Sequence, residues 1–166
     1  MSQIAHKITR DQIDANGKYI GSIDVSNFDG DLEISDGLGC VFFLRLSVTG
    51  WIVVKAGSGI KAGLGIEAGS GIEAGWGIKA GLSITCKRRL SVALRVFAGL
   101  CLWKLPSREE MEIRCGKLES GTISFGTLVE AGLPEDVDAG VSQSIEVIPH
   151  EDLNQLMWSS VVTLEG

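Results

Sequence analysis

The chain has 166 residues, 45% of them hydrophobic and 22% charged, with 22 glycines and a net charge of −6. That length suits one domain or two small coupled modules, and the apolar content excludes a mainly disordered chain. No run reaches the roughly 18 apolar residues of a membrane-spanning helix, and the N-terminal MSQIAHKITRDQID lacks the apolar segment of a secretion signal, so a soluble, cytoplasmic protein is expected.

Charge is unevenly spread. Residues 1–36 carry 3 basic and 7 acidic side chains, residues 37–104 carry 9 and 2, and residues 105–166 carry 3 and 12. Such polarity favours contacts between the middle and the ends, or two surfaces of opposite sign.

In chain order, the first β-prone stretch is IGSIDVSNFDGDLEIS, where Ile20, Ile23, Val25, Phe28, Leu32 and Ile34 alternate with polar residues and glycines. The run VFFLRLSVTGWIVV follows, dense in β-forming residues. The chain then repeats every six residues as VKAGSG, IKAGLG, IEAGSG, IEAGWG and IKAGLS, with leading residues Val54, Ile60, Ile66, Ile72 and Ile78. A sixth unit, 84–89, keeps only the leading isoleucine. Downstream, Leu90, Val92, Leu94 and Val96 alternate, and MEIRC, GTISFGTLVEAG and VSQSIEVIP each read as a strand ended by Gly or Pro. Residues 149–158 read as one short helix, with acids in the first turn and Leu153, Leu156 and Met157 as its apolar side. That helix is expected to cap an open end of the stack.

A helix uses the six-residue repeat badly. At about 100° per residue, successive isoleucines fall about 240° apart and spread over three sides. The nine glycines from Gly57 to Gly81 would cost up to about 1 kcal/mol each relative to alanine. An extended backbone that turns every six residues has neither difficulty, because glycine accepts φ > 0 and permits close approach of neighbouring strands. The leading aliphatic residue and the alanine two places later then face inward. The residue between them (Lys55, Lys61, Glu67, Glu73, Lys79) faces outward.

Over residues 54–83 the repeat resembles the hexapeptide-repeat, left-handed β-helix family, whose units begin with an aliphatic residue followed by a small or acidic one. The departure is at the fifth position, where that family prefers small residues and this chain has Ser58, Leu64, Ser70, Trp76 and Leu82. Two geometries fit. A three-sided coil would hold 18 residues. A flattened two-sided coil of 12 would suit the alternation of small and large residues and would set Lys55 against Glu67, and Lys61 against Glu73. The fold class expected is mainly β: a β-solenoid with six-residue repeats, flanked by β-strands and one short C-terminal helix. Residues 1–104 would hold the solenoid and its N-terminal strands, and residues 105–166 an acidic, β-rich region with the capping helix.

No catalytic, cofactor or metal constellation is legible. The cysteines Cys40, Cys86, Cys101 and Cys115 contain no closely spaced pair and lie far from both histidines, whereas zinc needs paired ligands. They read as small buried hydrophobes. His6 and His150 sit in no nucleophile motif. Acyltransferases of the resembled family use a histidine projecting from the coils, and this repeat has none. The glycines recur without the strand–loop–helix context of a phosphate loop.

The expected function is therefore a non-enzymatic protein-binding module. Repeats of the GIEAG and GIKAG kind resemble those in small proteins of phages and mobile elements. That resemblance implies an inhibitor of a bacterial defence complex, CRISPR–Cas or restriction, which occludes or mimics a nucleic-acid surface. The rival readings are a reduced acyltransferase and a structural phage spike component. Candidate contact residues are Trp76 as an exposed anchor, Glu67 and Glu73 on the repeat, the basic cluster Lys87, Arg88 and Arg89, and the acidic set Glu130, Glu135, Asp136 and Asp138. The partner expected is a protein, such as a nucleic-acid-binding complex. Direct nucleic-acid binding is not expected from a chain of pI about 4.9. A homo-oligomer is left open.

Overall fold

Residues 5–133 are described in a computed structural model. The expected helix at 149–158 and the strand at 141–149 lie outside them. The described part is mainly β, with parallel sheets of which one is curled. Its strands are β1 (Ala5–Ile8), β2 (Asp31–Ile34), β3 (Gly39–Phe43), β4 (Leu46–Val48), β5 (Ile52–Val54), β6 (Ser58–Ala62), β7 (Ile66–Ala68), β8 (Ile72–Ala74), β9 (Ile78–Ala80), β10 (Ile84–Cys86), β11 (Arg89–Phe97), β12 (Glu112–Cys115), β13 (Lys117–Phe125) and β14 (Thr127–Glu130).

These strands fall into three parallel ladders visited in rotation. The first joins β1, β2, β5, β8 and the start of β11. The second joins β3, β6, β9 and the end of β11. The third joins β4, β7, β10, β12 and β14. β11 belongs to two ladders, pairing β8 through Leu90–Val92 and β9 through Val96–Phe97. It turns a corner between them, and this is what curls the larger sheet.

Register decides the length of each circuit. Ile60 lies opposite Ile78, Ile66 opposite Ile84, Ile72 opposite Leu90 and Ile78 opposite Val96. Each return therefore takes three six-residue units, not two. The attractive pairing of Lys61 with Glu73 at a 12-residue return does not form, and Lys61 instead lies opposite Lys79.

The inward pattern follows the repeat from Ile60 onward. Ile60, Ile66, Ile72, Ile78, Ile84 and Leu90 are almost wholly buried, as are Ala62, Ala68, Ala74 and Ala80. Each buried isoleucine contributes about 1.5–3 kcal/mol relative to exposure. The first unit departs from the expected phase. Ile52, not Val54, lies opposite Ile72, Val54 takes the alanine place opposite Ala74, and Ala56 is exposed. The extra residues widen the corner before β6.

Glycine serves close approach more than unusual backbone. Within the repeat only Gly57 has a positive φ, 75°. Gly69 shows the commoner reason, since a Cβ there would collide with the Thr49 carbonyl of the preceding circuit. Upstream, alternation over 20–34 yields a strand only at Asp31–Ile34. The Asp24 carboxylate accepts from the Ser26 N–H at 2.9 Å and the Ser26 hydroxyl at 2.6 Å. This local turn competes with strand pairing and leaves Ile20 and Ile23 exposed.

Cys86 and Cys115 are buried as expected, whereas Cys40 is exposed and Cys101 half-buried. Burial, with the Cys115 thiol as neighbour, pushes the Cys86 thiol up to about 12. Burial, with the Glu130 carboxylate nearby, pushes Cys115 up to about 11.

Candidate binding surface

The outward positions of the second ladder form one column. Phe42 lies opposite Lys61, Lys61 opposite Lys79, Lys79 opposite Phe97, and Phe97 opposite Phe125. The Lys61 ammonium stands 5.8 Å from the centre of the Phe42 ring, an attractive placement over the ring's negative face. Among the described residues no carboxylate pairs with Lys61, Lys79 or Arg95.

Beside this column runs the corner between the first and second ladders. Its fifth-position residues are Ser58, Trp76 and, one circuit on, Leu94. Ser58 is buried and ties the corner together: its hydroxyl donates to the Ser35 carbonyl at 2.6 Å and accepts from the Leu38 N–H at 2.9 Å. Trp76 is 43% exposed and Leu94 50% exposed, and the Leu94 N–H donates to the Trp76 carbonyl at 3.4 Å. Between corner and column lies a groove of about 560 Å³ whose floor includes Gly59 and Gly77, where the missing Cβ atoms let the backbones of successive circuits approach. Cys40, opposite Gly59, and Arg95, opposite Thr122, also line it. Loss of hydration raises the Cys40 thiol above its ordinary value, while the Lys61 and Lys79 ammoniums act in the opposite direction.

The next corner is a leucine edge. Leu44, Leu64 and Leu82 follow one another along it: the Leu64 N–H donates to the Leu44 carbonyl at 2.8 Å and the Leu82 N–H to the Leu64 carbonyl at 3.2 Å. The loop after it exposes Leu102, Trp103 and Leu105.

The residues singled out from sequence are scattered. Trp76 alone lies on the groove. Glu67 faces out from the third ladder and pairs with Arg45 at 3.2 Å. Glu73 faces out from the first ladder. Lys87, Arg88 and Arg89 are exposed at the corner between those two ladders. Arg89 is bound to Glu119 at 3.2 Å, with its guanidinium 5.9 Å from the Trp51 ring centre. Glu130 accepts the Leu118 N–H at 2.8 Å. Glu135, Asp136 and Asp138 lie outside the described residues.

Sequence reasoning missed Leu94, Phe97 and Arg95, while the meeting of Lys61 with Lys79 is the one expected for an 18-residue return. The signal was present: aliphatic residues continue at six-residue steps through Ile84, Leu90 and Val96, and Leu64 and Leu82 share a corner only in an 18-residue circuit.

Among the described residues there is no cluster of three His, Cys, Asp or Glu side chains able to hold a metal ion, and no helix long and apolar enough to cross a membrane. Comparison with family models, curated proteins and solved structures returned no match.

Proposed function

We propose that the three ladders are the faces of a β-solenoid built on six-residue repeats, and that this solenoid is a non-enzymatic protein-binding module. Its partner is a bacterial defence complex, CRISPR–Cas or restriction, met in the host cytoplasm. The observation that carries the binding role is the strip of exposed Trp76 and Leu94 and half-buried Phe97 beside Lys61, Lys79 and Arg95. An aromatic and an aliphatic side chain held half in water at one corner between paired strands are suited to anchor a partner. Their backbone is already hydrogen-bonded from circuit to circuit, so little ordering is needed on binding.

The defence target is supported by the likeness of the GIEAG and GIKAG units to those of phage and mobile-element proteins. Occlusion of the complex fits the geometry better than imitation of nucleic acid, because the Glu130 carboxylate of the acidic set is engaged with the backbone. The test is phage plating on bacteria that express the chain together with an active CRISPR–Cas or restriction system. Plating of the targeted phage is expected to rise on at least one system. Unchanged plating across CRISPR–Cas and restriction types would remove the defence reading.

A further inference from the structure

The groove beside Trp76 has a chemistry specific enough to name what it takes. Its lining combines Trp76, Leu94 and Phe97 with Lys79 and Arg95, and among the described residues no carboxylate lines it. Lys61 adds a third cation, directly opposite Lys79 in register. Like charges set opposite each other on neighbouring strands are destabilising. In a chain of net charge −6, three cations with no carboxylate partner among the described residues form a local cost that an anion laid across them would remove.

We propose that this groove binds a short peptide segment of a partner protein, with an aliphatic or aromatic anchor flanked by Asp or Glu. The inference rests on the protein-binding reading above and names the partner's chemistry. The anchor enters between Trp76 and Phe97, over the backbone of Gly59 and Gly77 that lines the groove. The flanking carboxylates meet Lys61, Lys79 and Arg95. The peptide is held by side chains and does not add a strand, because the groove's backbone is already used between circuits: the Ile60 N–H donates to the Gly77 carbonyl at 3.1 Å. Nucleic acid fits less well. Its binding is dominated by phosphate contacts, whereas here the walls are mainly apolar and the adjoining faces carry Glu67 and Glu73.

The experiment is selection from a displayed library of random seven-residue peptides on the full chain. The chain with Leu94→Asp and Lys79→Glu serves as counter-selection, and a single-stranded oligothymidylate as competitor. Both substituted positions are outward, and thermal melts check that the fold survives. Trp76→Ala is a second, independent variant. Enrichment of peptides with two or more Asp or Glu around a Leu, Phe or Trp is expected. Their binding should weaken about tenfold or more in each variant, as for a central anchor, and should fall as salt rises. The assignment is overturned by enrichment of basic or uncharged sequences, by no enrichment, by binding that survives in the variants, or by displacement of the peptides by oligothymidylate. Plating that responds to the chain while no acidic peptide is selected leaves the protein-binding role and removes the groove. Acidic peptides that bind while plating is unchanged leave the groove and remove the defence target.

Discussion

The middle circuits and the last one are written in similar residues but hide them to different degrees. β7, β8 and β9 each have a parallel strand on both sides, and Ile66, Ile72 and Ile78 are almost wholly buried. β14 pairs with β12 alone among the described residues, and Leu128 and Val129 remain 36% exposed. A short apolar strand is thus buried by its neighbours and not by its own sequence. The strands flanked on both sides bury their leading isoleucines fully, whereas this last described strand does not.

The largest expected effect tests that contrast directly. Ile72→Ala should lower the free energy of unfolding by about 2–5 kcal/mol, because the site is fully enclosed. Leu128→Ala should cost about 1 kcal/mol or less. Urea unfolding of the two variants checks it, and equal losses would mean that the last circuit is as well packed as the middle.

A smaller effect separates the corners. Ser58→Ala removes the acceptor of the Leu38 N–H and the donor to the Ser35 carbonyl, with an expected loss of about 1–3 kcal/mol for unsatisfied buried groups. Ser70→Ala, at the matching fifth position of another, half-buried corner, should stay within about 0.5 kcal/mol. Thermal melts of the pair would show similar shifts if Ser58 were only a small filler.

The smallest effect concerns pH. Cys86 and Cys115 have folded pKa values raised from 9.0 to about 12 and about 11, so between those limits the unfolded chain releases protons that the folded chain keeps. Their contribution is fully present below the unfolded value near 9.0 and is lost as pH rises through the folded values. Urea midpoints should therefore fall as pH rises above the ordinary thiol value, and Cys86→Ala should flatten that fall. An unchanged slope in the variant would show that the alkaline loss has another origin.

Much of this architecture was legible before any coordinates. The six-residue recurrence from Ile60 to Ile78 marked the inward positions, and the intervening Lys61, Glu73 and Lys79 do face outward. Where reading failed, a local competitor or a neighbouring circuit was responsible. The turn at Asp24 and Ser26 overrode the alternation of Ile20 and Ile23. The extra residues before Ser58 shifted the first unit, so that Ile52 leads it. The alternation of small and large fifth positions was misleading, because Ser58, Leu64 and Ser70 belong to three different corners. Of the site, Trp76 was recognisable as an odd residue in a small-residue position. Leu94, Phe97 and Arg95 lie in a stretch where the repeat has lost its glycines.

The sequence by itself determined that the backbone is extended, that it bends about every six residues and that isoleucine and alanine face inward, since these follow from side-chain alternation and from glycine's lack of a Cβ. Only the tertiary structure decided how many bends close a circuit. That number depends on which strands hydrogen-bond to each other across 18 residues, which the six-residue recurrence alone leaves open between 12 and 18. With it came the stacking of Lys61 on Lys79 and of Leu94 on Trp76, and hence the groove between them.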